Sequence, residues 1–147
     1  MKYGVDISTY NKNINYGELA KNIRFAIIRV GFGVQYIPEK QKDVMFEKHY
    51  AGLKQVNIPI GVYYYQYANE IGEGKKEAEN CLKYLDGKQL DLPIYYDVED
   101  GSVSGLSKET LTAIIKEFCE TIENAGYKAG IYASKSWLKN KIDVEQL

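Results

Sequence analysis

The sequence predicts an α/β fold in which parallel strands alternate with helices. Three observations predict it. Five short runs rich in β-branched and aromatic residues are separated by segments whose apolar residues recur at helical spacing. The runs are largely apolar, as strands covered on both faces are. The acids Asp6, Asp97 and Glu99 fall at the carboxyl ends of two of these runs, where parallel α/β folds bind their ligands. An open doubly wound sheet and a β/α barrel both satisfy this order.

Taken in order, Tyr3 to Ile7 reads as a short strand carrying Asp6, and Tyr16 to Lys21 as a brief helix. Arg24 to Val30 is a second strand, stopped by Gly31-Phe32-Gly33. That glycine pair lacks phosphate-binding spacing. A polar loop leads to a helix opening near Asp43 as N-cap, with Phe46, Tyr50 and Leu53 on one face and Asn57 at the exit. Ile60 to Tyr67 is the third strand. From about Gly74 a helix runs with Ala78, Cys81, Leu82 and Leu85 on its stripe, closed by Asp86-Gly87. The fourth strand lies within Leu92 to Gly101. Ser107 caps the longest helix, striped by Leu111, Ile114, Ile115, Phe118, Cys119 and Ile122, and Ala125-Gly126 stops it. Gly130 to Ala133 is a fifth strand, and Trp137 to Lys141 a last helical turn.

Within the fourth strand, Leu92-Pro93-Ile94-Tyr95-Tyr96-Asp97-Val98-Glu99-Asp100-Gly101, side chains alternate, so Asp97 and Glu99 share a face. Their Cα atoms lie about 6.6 Å apart from the strand rise, a scale on which two carboxyls flank one glycosidic bond. Like charges gathered on one rim cost energy, so three acids at strand ends point to chemistry rather than stability. Glycoside hydrolysis is the reaction such a group supports without a cofactor. Glu99, with the longer side chain, is the candidate acid, while Asp97 and Asp6 are expected to stay ionised.

Other chemistries lack their parts. The one histidine, His49, sits in mid-helix and reads as a surface or packing residue, leaving neither a Ser-His-acid triad nor a His-bearing zinc site. Asp97, Glu99 and Asp100 do not follow a calcium-loop spacing; no metal and no cofactor are expected. The net charge of −1 gives no electrostatic case for nucleic acid or an anionic membrane, and no run reaches a membrane span or resembles a signal peptide. The two cysteines, Cys81 and Cys119, fall on apolar stripes and are expected to pack as small hydrophobes. The 14 tyrosines against one tryptophan offer flat faces and hydroxyls suited to sugar rings; Tyr63, Tyr65 and Tyr132 are the candidates. A chain of 147 residues holds one core, so one domain over residues 1–147 is expected.

Five segments in order resemble the lysozymes of glycoside hydrolase family 25, the muramidases of autolysins and phage endolysins. They are Gly4-Val5-Asp6-Ile7-Ser8, Phe25 to Gly31, Ile58 to Tyr65, Leu92 to Glu99, and Gly126-Tyr127 through Gly130-Ile131-Tyr132. The family often has a histidine where this chain has Tyr64. The resemblance implies a β/α barrel of the family 25 type. It also implies cleavage of the β-1,4 bond between N-acetylmuramic acid and N-acetylglucosamine in bacterial peptidoglycan, with Glu99 as general acid, Asp97 beside it and Asp6 on the neighbouring rim. Family domains carry three further strands, so the resemblance implies an incomplete barrel of about five strands, truncated at the C-terminus. An open edge able to self-associate and a weakly stable or weakly active monomer are the expectations. A wall-binding module without cleavage and a hydrolase of chitin-like polymer are the alternatives. The expected place of action is the bacterial cell wall, reached after release or in the manner of a phage endolysin.

Overall fold

The computed structural model describes residues 3–147; Met1 and Lys2 lie outside them. Strands β1 (Gly4–Ile7), β2 (Phe25–Phe32), β3 (Ile60–Tyr65), β4 (Ile94–Asp97) and β5 (Ala129–Tyr132) form one parallel sheet in the order β1-β2-β3-β4-β5. Of the two architectures left open by the sequence, this is the barrel progression. A doubly wound sheet reverses its strand order at a switch point, and no reversal occurs among the described strands. The helices are α1 (Tyr16–Ala20), α2 (Pro38–Gln41), α3 (Phe46–Gln55), α4 (Glu73–Leu85), α5 (Lys108–Asn124) and α6 (Lys135–Asn140).

Alternation divides the sheet into two faces. Ala26, Ile28, Val30, Ile60, Val62, Tyr64, Ile94 and Tyr96 are fully buried in the main core, where α3, α4 and α5 pack against the sheet. Gly4, Asp6, Phe25, Ile27, Tyr63 and Tyr95 point the other way and line an open cavity. Helix α5 supplies the largest apolar stripe. Leu111, Ile114, Ile115, Phe118 and Ile122 are buried, Phe118 stacks on Tyr96 with ring centroids 3.9 Å apart, and Ser107 Oγ caps the helix by accepting from Thr110 N at 3.1 Å. The Tyr64 hydroxyl donates to the Gly33 carbonyl at 2.6 Å on the helix side of the sheet. The departure from the family's histidine is therefore accommodated in the core and leaves the acid rim untouched.

Three local expectations change. Strand β2 runs two residues past Val30, because its register slips between Arg29 and Gly31 and Gly31 bridges to Lys42. A Cβ on Gly31 would lie 2.3 Å from the Gln41 carbonyl, so only glycine allows this approach. The polar loop that follows contains the short helix α2, opened by Pro38 in its first turn. Asp43 is not the N-cap of α3; Met45 takes that place, and Asp43 turns inward to Arg29. Cys81 and Cys119 are free, buried and half-buried respectively, as expected.

Candidate active site

The site is built by strand register. Asp97 stands opposite Tyr65 on β3 and Tyr132 on β5, and one layer below, Tyr63 stands opposite Arg29 and Tyr95. Asp6, Tyr63, Tyr95, Asp97, Glu99 and Tyr132 wall a cavity of about 440 Å³, floored by Gly4, Phe25 and Ile27, a volume that suits a small ligand. Gly130 makes room for the Tyr95 ring, which a Cβ at that position would meet at 2.7 Å.

All three acids expected at the rim reach this cavity. Asp97 is 6% exposed and its Oδ1 has no hydrogen-bond partner among the described residues. Glu99 is exposed. Burial first, then the charge and hydrogen bond of Glu99 and the charge of Asp6, push the Asp97 carboxyl up to about 8; the Arg29 guanidinium opposes them. With its carboxyl raised to that point, Asp97 keeps its proton through neutral pH. This departs from the expectation that Asp97 stays ionised. In the free protein the deeper carboxyl holds the proton, because desolvation penalises its charge most.

The three tyrosines part company. Tyr63 lies against the acids, its hydroxyl pushed up to about 12 by burial, with Arg29 opposing and Asp6 and Asp97 reinforcing. Tyr132 is 59% exposed and forms the β5 wall. Tyr65 donates its hydroxyl to Asp100 Oδ1 at 3.0 Å and lies outside the cavity lining.

The rim is held by buried polar groups that sequence reasoning missed. His49 is fully buried, the packing side of the two readings the sequence allowed. Its Nε2 lies 2.9 Å from the Ser8 carbonyl, two residues beyond Asp6, and its Nδ1 lies 2.7 Å from the Tyr16 hydroxyl. A carbonyl only accepts, so Nε2 carries the proton and Nδ1 accepts from Tyr16. Asp43 fixes the same segment by accepting from Thr9 N at 2.9 Å. Replacing His49 with Leu strands the Ser8 carbonyl and the Tyr16 hydroxyl. The expected loss is about 2 kcal/mol, read as a lower urea midpoint at constant m-value; an unchanged midpoint would show that the two bonds carry nothing.

Behind β4, Glu77 of α4 is also fully buried. It accepts from the Tyr96 hydroxyl, from Tyr67 N at 2.9 Å and from Ala68 N at 3.2 Å, pinning the turn after β3. Burial pushes its carboxyl up to about 7 against those hydrogen bonds. A signal existed in the sequence: Glu77 precedes Cys81 and Tyr84 at i, i+4 and i+7, on the buried stripe of α4.

The model of Glycosyl hydrolases family 25 matches residues 5–147. A lysozyme of Lactococcus phage mv1 is 28% identical across 99% of this chain and 72% of its own length. The autolysin LytC of Streptococcus pneumoniae, solved in complex with a synthetic peptidoglycan ligand, superposes with a TM-score of 0.79 at 26% identity, over 95% of this chain and 34% of LytC. The catalytic domain of endolysin ply40, from bacteriophage P40 of Listeria monocytogenes, gives a TM-score of 0.80 at 24% identity over all of this chain and 70% of that domain. The chain thus spans about a third of LytC and somewhat over two thirds of the other two. Five parallel strands alternating with helices are common ground with these folds.

Proposed function

The chain belongs to glycosyl hydrolase family 25, and from that membership we propose that it hydrolyses the β-1,4 bond between N-acetylmuramic acid and N-acetylglucosamine in bacterial peptidoglycan, with Asp6, Asp97 and Glu99 as its catalytic acids. One observation carries the proposal: a buried carboxyl, Asp97, and an exposed one, Glu99, line the same sugar-sized cavity together with Asp6. Residues 1–147 act in this reading as one catalytic domain, and the bacterial cell wall is the place of action.

A glycan entering the cavity covers Glu99 and removes its solvation, which raises the carboxyl's proton affinity. The proton held on Asp97 passes to Glu99, and Asp97 becomes the charged partner. Its Oδ1 then accepts the N–H of the acetamido group on the sugar being cleaved, leaving the acetamido carbonyl oxygen aimed at C1. Glu99 donates its proton to the glycosidic oxygen as the C1–O bond breaks, and Asp97 and Asp6 stabilise the positive charge developing on the ring. Water then attacks C1 and returns a proton to Glu99. Tyr63 and Tyr132 offer aromatic walls to the rings.

The proton count sets a pH dependence. The singly protonated pair is the competent form, and it is lost as pH rises through about 8. kcat/KM on purified cell walls is therefore expected to fall about tenfold per pH unit above that point, with release of reducing ends as the readout. A fall beginning near pH 5 would contradict the proton held on Asp97. Chitin supplied in parallel is expected to release little; chitin cleaved while cell walls stay intact would replace the substrate.

A further inference from the structure

Outside the cavity lining, on the β1–β3 side of the same rim, two aromatic rings cover one cation and a third packs against them. Arg29 lies beneath Tyr10 and Phe32, its guanidinium carbon 5.4 and 5.6 Å from their ring centroids. Phe32 meets Tyr67 edge-on at 5.9 Å, and Tyr67 tilts against Tyr65 at 5.3 Å. Packing for stability hides rings, yet Tyr10 is 84% and Tyr67 42% exposed.

Arg29 is oriented rather than merely paired. Its Nε donates to Asp43 Oδ2 at 2.8 Å. Asp43 is itself buried and accepts from Thr9 N and Met45 N as well, which locks its position. The two Nη groups of Arg29 make no hydrogen bond among the described residues, and the side chain is 14% exposed. A pair serving stability alone would use the bidentate fork; here the fork is turned away from Asp43. The register slip after Arg29 carries Phe32 over the guanidinium, in keeping with bulges that re-aim side chains beside active sites. Arg29 also lowers the proton affinity of Asp97 and Tyr63, which places its charge next to the reacting centre.

We infer that Arg29, framed by Tyr10, Phe32 and Tyr67, is a subsite for the acyl substituent of the glycan, reading the carboxylate or amide carbonyl of the lactyl group on N-acetylmuramic acid. The inference rests on the cell-wall reading above and deepens it, since this substituent distinguishes peptidoglycan from chitin. Charge complementarity selects the occupant. The cavity carries Asp6, Asp97 and Glu99 and repels an anionic substituent, whereas the free Nη edge of Arg29 attracts sp² oxygens and the rings cover the adjoining sugar face.

The test uses the full chain carrying Glu99→Gln, so that glycans are held without turnover, and calorimetry with three ligands. These are peptidoglycan oligomers with stem peptide, the same oligomers after amidase treatment, which leaves the lactyl carboxylate, and N-acetylglucosamine oligomers. Adding Arg29→Gln is expected to weaken the first two by roughly tenfold or more and to leave the third within about twofold. Tyr10→Ala, a change at an exposed ring that leaves the melting temperature in place, is expected to weaken the same two ligands by a smaller factor. Equal losses on all three ligands, or no loss from either variant, would overturn the subsite. Failure of the Glu99→Gln chain to bind any of the three would overturn the cell-wall reading and the subsite together.

Discussion

Glu99→Gln is expected to lower the rate of glycan cleavage by about 10²–10⁴-fold, the range a positioned general acid supplies, while leaving the fold intact. The amide matches the carboxyl in shape and can still hydrogen-bond, but it has no proton to give the leaving oxygen. Glu99 is exposed just beyond the end of β4 and makes no hydrogen bond to the backbone of the described residues, so the melting temperature of the variant is expected to stay with that of the unaltered protein. Binding of peptidoglycan oligomers is expected to persist, because the ring contacts and Asp97 remain. The informative comparison is Asp97→Asn. In the proposed mechanism that change removes the charge that orients the acetamido group and the carboxyl that holds the proton, so both the rate and the limb near pH 8 are expected to move. Retention of more than a tenth of the activity by Glu99→Gln would transfer the acid role to another group.

The largest effect on stability is expected at Glu77, on the helix side of the sheet behind Tyr96. Glu77→Ala removes the acceptor for the Tyr96 hydroxyl and for the N–H groups of Tyr67 and Ala68, and leaves a cavity behind a fully buried position. Stranded donors and cavity together are expected to cost about 4 kcal/mol near pH 5. The cost depends on pH with a definite sign. The folded carboxyl is raised from 4.5 to about 7, so between those values the folded state binds more protons than the unfolded state. Its contribution is complete below about pH 4.5 and is lost as pH rises through about 7, a change of about 3 kcal/mol. Alanine has no such dependence, so the gap between the two proteins is expected to narrow towards pH 8. Asp97, raised to about 8, acts in the same direction. Urea midpoints at pH 5 and pH 8 measure this; a gap that widened with pH would reverse the sign.

The strands and the acid rim were legible because they are written in local pattern. Apolar runs, helical stripes and caps such as Ser107 need only their sequence neighbours, and the alternation that pairs Asp97 with Glu99 is a property of one strand. What was not legible depends on partners distant in the chain. Asp43 looked like a helix cap, yet its partners include Thr9, 34 residues away; His49 finds the Ser8 carbonyl across 41 residues. Arg29 was placed only inside the second strand, and the bulge after it and the rings of Tyr10 and Phe32 show its surroundings. The three acids at the rim could be read from the sequence, but not how deeply each is buried. Depth is set by how five strands stack.

The most direct measurement is the identity of the sugar left at the new reducing end. Purified peptidoglycan is digested with the protein, the ends are reduced with borohydride, and the sugar alcohols are separated and identified by mass. Cleavage between N-acetylmuramic acid and N-acetylglucosamine by the Asp97–Glu99 pair is expected to yield muramitol, with none released by the Glu99→Gln chain. Glucosaminitol as the main product, or muramitol released equally by Glu99→Gln, would contradict the reading.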